Sequence, residues 1–152
     1  TGKEALRNFL KHEKDRNPPT HVEKEFSFIL DKNIIRGRWD RVDIDDGKVV
    51  IIDYKTSEVN SDANAHRKAK ESLQLSIYAL AYRERFGKLP DRLELRFIES
   101  GLIGITIKKE KDIEEIIEII RETAERIRKK DFEARPAYMA CGYCAYQFIC
   151  PK

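Results

Sequence analysis

The 152 residues predict an α/β fold, with a mixed central sheet of about five strands flanked by helices and a cysteine-bearing C-terminal tail. Two observations support this prediction. Five runs of alternating or continuous apolar residues are typical of strands, and helical periodicity occurs before, between and after them. The length suits one domain, which we expect to occupy residues 1–152 and to end in a cysteine-rich tail at 141–150.

The first half begins with a helix and continues with strands. "EALRNFLKHEK" (4–14) predicts a helix, and Pro18 and Pro19 cannot continue it. A turn at 45–48, in which Gly47 supplies a positive φ, joins the second and third strands. We interpret 57–70 as a polar loop leading into a helix. The predicted strands are "HVEKEFSFIL" (21–30), "NIIRGRWDRVDI" (33–44) and "VVIIDYKT" (49–56).

The second half repeats the pattern in the order helix, hairpin, helix. "ESLQLSIYALAYRERF" (71–86) is apolar around most of its circumference, which predicts a largely buried helix that ends at Gly87. "RLELRFIE" (92–99) and "LIGITIKK" (102–109) predict a hairpin. "DIEEIIEIIRETAERIRKK" (112–130) predicts an amphipathic helix whose apolar face holds Ile113, Ile116, Ile117, Ile120, Ala124 and Ile127.

Composition and charge exclude few functional classes of protein. Charged residues make up 38% of the chain, but the net charge of +3 is too small to argue for nucleic acid by itself. No apolar run approaches the roughly 18 residues of a membrane helix, and no secretory leader opens the chain. We therefore expect a cytoplasmic protein without membrane contact. Because the sequence starts with Thr-Gly, we expect it to be part of a longer protein.

Two opposite charges end the apolar strand "VVIIDYK". Alternation places Asp53 and Lys55 on one face of this strand. If the turn lies at 45–48, paired residues of the hairpin have numbers that sum to 93, so Asp40 lies opposite Asp53. Their Cβ atoms would then be about 4.5–5.5 Å apart.

Facing carboxylates destabilise a sheet unless something compensates their charge. A divalent cation is one compensator, and hard oxygen ligands suit Mg²⁺ or Mn²⁺. Lys55, on the same face, would then orient a water or stabilise charge on a phosphate. Two alternatives remain open: a carboxylate pair that shares a proton, or two solvated strand ends. A register slip of one residue would separate the pair.

Asp40 followed by Asp53-Tyr54-Lys55 resembles the signature of PD-(D/E)XK nucleases. "GRWDRVD" and "IIDYKTS" resemble the RecB-type branch, which is found in RecB, AddA and AddB nuclease domains and at the ends of some UvrD-like helicases. "QLSIY" matches the Q-x-x-x-Y motif of that branch, and the hairpin and "CGYCAYQFICP" are also similar. The resemblance covers the chain from about Val22 onward. It implies a restriction-endonuclease-like core.

The resemblance also implies an activity and site roles. The activity is metal-dependent DNA cleavage by an exonuclease or end-processing module in recombination or repair. The helicase would belong to the same full-length chain or to a partner subunit. Asp40 and Asp53 would bind Mg²⁺ or Mn²⁺ together with the carbonyl of Tyr54, and Lys55 would be the catalytic lysine.

Further residues take supporting roles under the same resemblance. Gln74 and Tyr78, one helical turn apart, would position Lys55, the water or the scissile phosphate; alternatively, they form a buried polar pair within the core. Arg36, Arg38 and Arg41 are either DNA-phosphate contacts or plain surface charges.

One residue of the RecB-type pattern has no counterpart. That branch carries a metal-binding histidine in a helix before the first strand. No family motif surrounds His12, so we expect it to be a surface residue, and we expect the family histidine upstream of Thr1. Glu23 could approach the site from the first strand, but we expect it to be solvated. With a ligand missing, we expect weak activity from this chain.

Cys141, Cys144 and Cys150 form a C-x₂-C-x₅-C pattern. Three crowded thiols in an intracellular protein favour metal over disulfides. The spacing resembles part of the AddB-type 4Fe–4S staple, whose fourth cysteine would lie outside this chain. Unligated thiols, or zinc with a borrowed histidine, remain alternatives.

A second functional class is open: a catalytically inactive nuclease-fold module that binds DNA or has a structural role. The joint presence of two aspartates, a lysine, a glutamine and a tyrosine favours the nuclease, because an inactive module has no chemical need for all five.

Overall fold

The computed structural model describes residues 2–14, 16–134 and 136–150. The chain divides into two compact units, Thr1–Ile117 and Glu118–Lys152, and each is described by itself. The elements are α1 (Gly2–Glu13), β1 (His21–Leu30), β2 (Asn33–Asp45), β3 (Lys48–Lys55), α2 (Asp62–Glu71), α3 (Leu73–Phe86), β4 (Arg92–Phe97), β5 (Ile103–Thr106), α4 (Glu110–Arg128) and α5 (Tyr138–Gly142).

The first unit contains a five-stranded sheet in the order β1-β2-β3-β4-β5. Neighbours are antiparallel except β3 and β4, which are parallel and are joined through α2 and α3. A parallel pair requires such a crossover, because the chain must return to the same end of the sheet. The predicted mixed sheet flanked by helices is therefore confirmed, and it is consistent with a restriction-endonuclease-like fold.

The turn between β2 and β3 sets the hairpin register. Asp46 and Gly47 both have positive φ, of 45° and 76°, as a two-residue hairpin turn with the matching twist requires. Asp45 pairs with Lys48, and the ladder continues to Arg41 opposite Ile52. The predicted sum of 93 is correct for every pair of this ladder.

Helix α3 packs on the sheet and supplies much of the core. Leu75 and Leu80 are fully buried, and the indole Nε1 of Trp39 on β2 donates a hydrogen bond to the Tyr78 carbonyl at 3.3 Å. The ring of Phe26 on β1 lies 4.8 Å from that of Trp39. The prediction of a largely buried helix at 71–86 is confirmed.

Helix α2 replaces most of the loop predicted at 57–70. Ser61 caps it by accepting a hydrogen bond from the backbone N–H of Asn64. Ala65 and Ala69, one turn apart, are fully buried. A Cβ atom on Gly104 of β5 would lie 2.1 Å from the Ala65 carbonyl oxygen, so glycine permits the close approach of helix and strand. The polar composition of 57–70 obscured a helix whose buried side consists of small residues.

The predicted amphipathic helix at 112–130 is α4, and it crosses the boundary between the units. Ile113 and Ile116 in the first unit are buried, whereas Ile127 in the second is 57% exposed. Within the described part of the chain, no helix is both long and apolar enough to cross a membrane.

Candidate active site

Asp53 lies near the end of β3, and its side chain is almost completely buried, with 2% of the residue exposed. Burial raises the pKa of this carboxyl above its ordinary value, because a charged carboxylate loses its hydration. The Lys55 ammonium and the Tyr78 hydroxyl lower the pKa, and the Asp40 carboxylate raises it. Asp53 is therefore a buried acid close to one cation and one further carboxylate.

Lys55 contacts both β3 and α3. Its Nζ lies 2.7 Å from Asp53 Oδ2 and donates a hydrogen bond to Gln74 Oε1 at 2.6 Å. The contact with Asp53 is an ion pair without hydrogen-bond geometry. Oδ2 is buried, and its partner among the described residues is the Lys55 ammonium.

Gln74 and Tyr78 share one face of α3, as their spacing predicted. Gln74 Nε2 donates to the Tyr78 hydroxyl at 2.9 Å, so the amide joins Lys55 to the tyrosine. Burial, together with the nearby carboxylates of Asp53 and Asp40, raises the pKa of Tyr78 to about 12. The hydroxyl therefore stays protonated near neutral pH and faces both acids.

Asp40 is half-buried on β2. Its Oδ2 accepts a hydrogen bond from the backbone N–H of Tyr54 at 2.9 Å. The recorded β2–β3 ladder ends at Arg41 opposite Ile52, one step before Asp40 and Asp53, so their direct pairing stays a prediction in the confirmed register. The two carboxylates nevertheless interact, because Asp40 raises the pKa of Asp53.

These two acids fit a hard divalent cation. Asp40 and Asp53 repel each other, one of them is buried, and a divalent cation would compensate the charge that both carry when ionised. Mg²⁺ needs only one or two carboxylates when waters and phosphate oxygens complete its shell. Among the described residues no group of three or more His, Cys, Asp or Glu side chains is arranged to hold a metal. The Tyr54 carbonyl remains a predicted further ligand.

A comparison with protein families agrees with this group of site residues. A model of the PD-(D/E)XK nuclease superfamily matches residues 1–151. The chain belongs to the PD-(D/E)XK nuclease superfamily. Membership indicates nuclease activity, and it agrees with the Asp40, Asp53-x-Lys55 arrangement that the structure brings together at the end of β3.

Two individual proteins are similar to this chain. The gene 69 protein of Mycobacterium phage L5 is 29% identical over 141 residues, which cover 88% of this chain and 45% of the phage protein. The chain thus spans less than half of that relative. The crystal structure of SSO0001 aligns over 99% of this chain and 68% of its own, with a TM-score of 0.61 and 22% identity, a likeness that supports the fold alone.

Tyr54 lies between Asp53 and Lys55 on β3. Its side chain points to the opposite face of the sheet from theirs, where α1 lies. Its ring makes an edge contact with Phe9 of α1, with centroids 5.3 Å apart. Burial raises the pKa of the Tyr54 hydroxyl.

A buried ion-pair network lies beside Tyr54 on that face. The carboxylate of Glu13 binds Arg41 through one oxygen and Arg96 through the other. Arg41 also binds Asp43, and Arg96 binds Glu94. The Arg41 guanidinium is thus occupied by protein carboxylates, which corrects the expectation that it contacts DNA phosphates. Sequence reasoning missed this network because Glu13 and Arg96 are 83 positions apart.

The other predicted surface residues lie on β1 and β2. Arg36 is exposed. Arg38 is more than half exposed and binds Glu23, Nε to Oε2, at 2.8 Å. Glu23 is itself more than half exposed, in agreement with its expected solvation. His12 belongs to α1, but its side chain lies outside the described part of the structure.

The cysteines lie in the second unit. Cys141, Cys144 and Cys150 are half-buried free thiols, and Cys141 Sγ accepts a hydrogen bond from the Ala137 N–H at 3.3 Å. Within the described residues they do not form a group that would hold a metal.

Proposed function

We propose that this protein is a Mg²⁺- or Mn²⁺-dependent deoxyribonuclease whose active site comprises Asp40, Asp53, Lys55, Gln74 and Tyr78. The observation that carries the proposal is the pair of interacting carboxylates, Asp40 and the buried Asp53, with the Lys55 ammonium 2.7 Å from Asp53 Oδ2. Two acids beside one lysine suit a divalent cation and a phosphate, whereas a structural ion pair needs only one acid.

Asp40 and Asp53 hold the cation in this proposal, with Tyr54 contributing its carbonyl. When bound, the cation supplies charge neutralisation at a phosphate and lowers the pKa of a water. The hydrogen bond from the Tyr54 N–H fixes Asp40, and burial excludes bulk water from Asp53.

Lys55 stabilises the negative charge that grows on the phosphate as it is attacked. Hydrolysis forms one bond from a water oxygen to phosphorus and breaks one phosphorus–oxygen ester bond, and the leaving oxygen ends with a proton. Gln74 orients the Lys55 ammonium through Oε1 and is itself oriented by Tyr78. Lys55 is thus oriented by protein contacts without substrate, which lowers the cost of reorganising the site.

The role of the nuclease in the cell is proposed from the RecB/AddB-type pattern. We propose an exonuclease or end-processing role beside a helicase, in the same full-length chain or a partner subunit, in recombination or repair. The Gln74–Tyr78 arrangement supports this branch, because the Q-x-x-x-Y motif contacts the catalytic lysine here. An end-processing enzyme should degrade linear DNA and leave covalently closed circles of the same sequence intact.

We also propose that Cys141, Cys144 and Cys150 supply three ligands to a 4Fe–4S cluster whose fourth cysteine lies outside these 152 residues. The support is their C-x₂-C-x₅-C spacing. Iron analysis of this chain and of a longer natural form, both purified without oxygen, tests it. Stoichiometric iron in the longer form alone is expected; its absence from both would contradict the cluster.

Cleavage assays distinguish a nuclease from an inactive DNA-binding or structural module. Labelled single- and double-stranded DNA is incubated with the protein in Mn²⁺, in Mg²⁺ and in EDTA. We expect cleavage with either metal, faster in Mn²⁺, which binds such sites more tightly, and none in EDTA. DNA binding without cleavage in any metal would support the inactive module.

A further inference from the structure

The ladder between β1 and β2 is interrupted at one position beside the active site. Its pairs skip Glu23 and Asp40, although the pairs before and after them keep one register. Neither strand therefore contains an extra residue at this point. The interruption lies at Asp40, one of the two acids of the proposed site, and Glu23 is the residue that the register places opposite it.

Glu23 has a left-handed backbone conformation, with a φ of 50°. The other described non-glycine residues with positive φ are Asp31, Asp46 and Lys130, and each of these lies outside the strands. A residue with a long side chain rarely adopts this conformation, and it persists only where the surrounding structure enforces it. Such residues are concentrated at functional sites.

Strand β2 changes the face to which its side chains point at the same position. Trp39 Nε1 donates a hydrogen bond to the Tyr78 carbonyl on α3, whereas Arg41 binds Glu13 of α1. These helices lie on opposite faces of the sheet. Residues two apart in a regular strand point to the same face, so the alternation of β2 is broken at Asp40.

The break determines the direction of the Asp40 carboxylate. Because Trp39 points to α3, a regular strand would direct the next side chain to the α1 face, away from Asp53. Asp40 instead interacts with Asp53 and accepts a hydrogen bond from the Tyr54 N–H at 2.9 Å. Breaks in strand pairing often redirect a side chain beside an active site.

Contacts on both sides of the break hold it in place. On one side, the Phe26 ring of β1 lies 4.8 Å from the Trp39 ring and 5.9 Å from the Tyr78 ring on α3. On the other side, Arg41 is buried against Glu13. The two strands therefore cannot straighten without losing one of these anchors.

The Glu23 carboxylate contributes little to this arrangement. It binds Arg38, Oε2 to Nε, at 2.8 Å, and both side chains are more than half exposed. Exposed ion pairs of this kind are weak. The backbone conformation of Glu23, and not its charge, is what coincides with the break.

We propose that Glu23 is a positioning residue of the nuclease site, whose left-handed backbone breaks the pairing with β2 and thereby directs the Asp40 carboxylate to the Tyr54 amide and to the cation. The inference rests on the proposed function for the role of Asp40. It adds a residue that touches neither the substrate nor the cation.

Three substitutions separate the backbone of Glu23 from its side chain. Glu23→Gly keeps the left-handed conformation without steric cost, and Glu23→Gln keeps the shape but removes the charge. Glu23→Val opposes the conformation, because a β-branched residue is an outlier there. The matched control is Glu25→Val, at an exposed position of the same strand that pairs regularly with Arg38.

The first measurement is hydrogen exchange at the Tyr54 amide, followed by NMR in EDTA. Exchange should be about 10–100-fold faster in Glu23→Val, because a hydrogen bond to a charged acceptor contributes about that factor. The other three variants should match the wild type. The Val49 amide, which donates to Asp91 Oδ2 at 2.8 Å on the same strand, is the internal reference and should not change. Unchanged Tyr54 exchange in Glu23→Val, or faster exchange at both amides, would overturn the proposal.

The second measurement is Mn²⁺ affinity by calorimetry. Glu23→Val should weaken binding about 10–100-fold, the usual effect of disturbing a residue that orients a metal ligand. Glu23→Gly and Glu23→Gln should bind Mn²⁺ as the wild type does. A loss in either of these two would assign the role to the carboxylate and overturn the proposal, whether or not Glu23→Val folds.

Neither measurement depends on cleavage, so the outcomes for this proposal and for the nuclease function can be separated. If the Tyr54 amide responds as expected but the wild type never cleaves DNA, the positioning role stands and the nuclease fails. If the wild type cleaves but the Tyr54 amide does not respond, the nuclease stands and the positioning role fails.

Discussion

Lys55 Nζ donates a hydrogen bond of 2.6 Å to Gln74 Oε1, although the two residues lie on different elements, β3 and α3. The same ammonium is 2.7 Å from Asp53 Oδ2. The lysine is therefore held between an acid from the sheet and an amide from the helix. The position of Lys55 depends on the packing of α3 against β3. The arrangement is present in the protein without a ligand.

Replacing Lys55 by alanine should reduce the cleavage rate by about 10²–10³, the usual cost of removing one positioned electrostatic group. A cation cannot be a metal ligand, so calorimetry at pH 8 should show Mn²⁺ affinity changed far less than the rate. Lys48→Ala, at the exposed start of the same strand, is the control and should cleave normally. A loss mainly of Mn²⁺ binding would assign Lys55 to the metal site instead.

Gln74→Ala and Tyr78→Phe should each slow cleavage, and their effects should not add. Both remove parts of one chain of contacts, from the Tyr78 hydroxyl through the Gln74 amide to Lys55. Residues in one hydrogen-bond network are coupled in double-mutant cycles. Rate constants for the two single variants and the double variant measure the coupling. Additive effects would mean that the residues act independently of each other.

Asp53→Asn should stabilise the metal-free protein, and the gain should grow with pH. Burial raises the pKa of Asp53 in the native state, so the unfolded state releases this proton first, near pH 3.9. The wild type therefore loses stability as the pH rises through that window, whereas the asparagine variant does not. Urea unfolding in EDTA between about pH 4 and pH 8 checks the sign. A difference that shrinks as the pH rises would contradict the raised pKa.

Glu13→Gln should cost about 3–5 kcal/mol in the free energy of unfolding, because it leaves Arg41 and Arg96 buried without their shared carboxylate. Glu71→Gln disrupts the exposed pair with Arg67 and should change stability by no more than about 0.5 kcal/mol. Urea unfolding of both variants provides the comparison. Equally small changes in both variants would show that the buried network contributes little to the free energy of unfolding.

Sequence patterns predicted the parts of the fold that depend on local periodicity. The hairpin register followed from the Asp46-Gly47 turn, and the contacts of Gln74 with Lys55 and Tyr78 agree with the shared helix face and the shared motif. The hydrogen bond from the Tyr54 amide to Asp40 did not follow from the pattern, because it joins a side chain to the backbone of the neighbouring strand just beyond the recorded ladder.

Contacts between segments that are far apart in the chain could not be predicted from sequence patterns. Arg41 resembled an exposed cation in a basic stretch, but Glu13 and Asp43 bury it as a structural group. Helix α2 was hidden because Ala65 and Ala69 are too small to produce an apolar stripe, and their role depends on Gly104 far along the chain.

The most direct test of the nuclease assignment is the cleavage rate of labelled DNA by the wild type and by Asp53→Ala in Mn²⁺, with EDTA controls and circular dichroism to verify folding. We predict cleavage by the metal-loaded wild type, none in EDTA, and none by a variant that remains folded. Cleavage by folded Asp53→Ala at the wild-type rate would contradict the account.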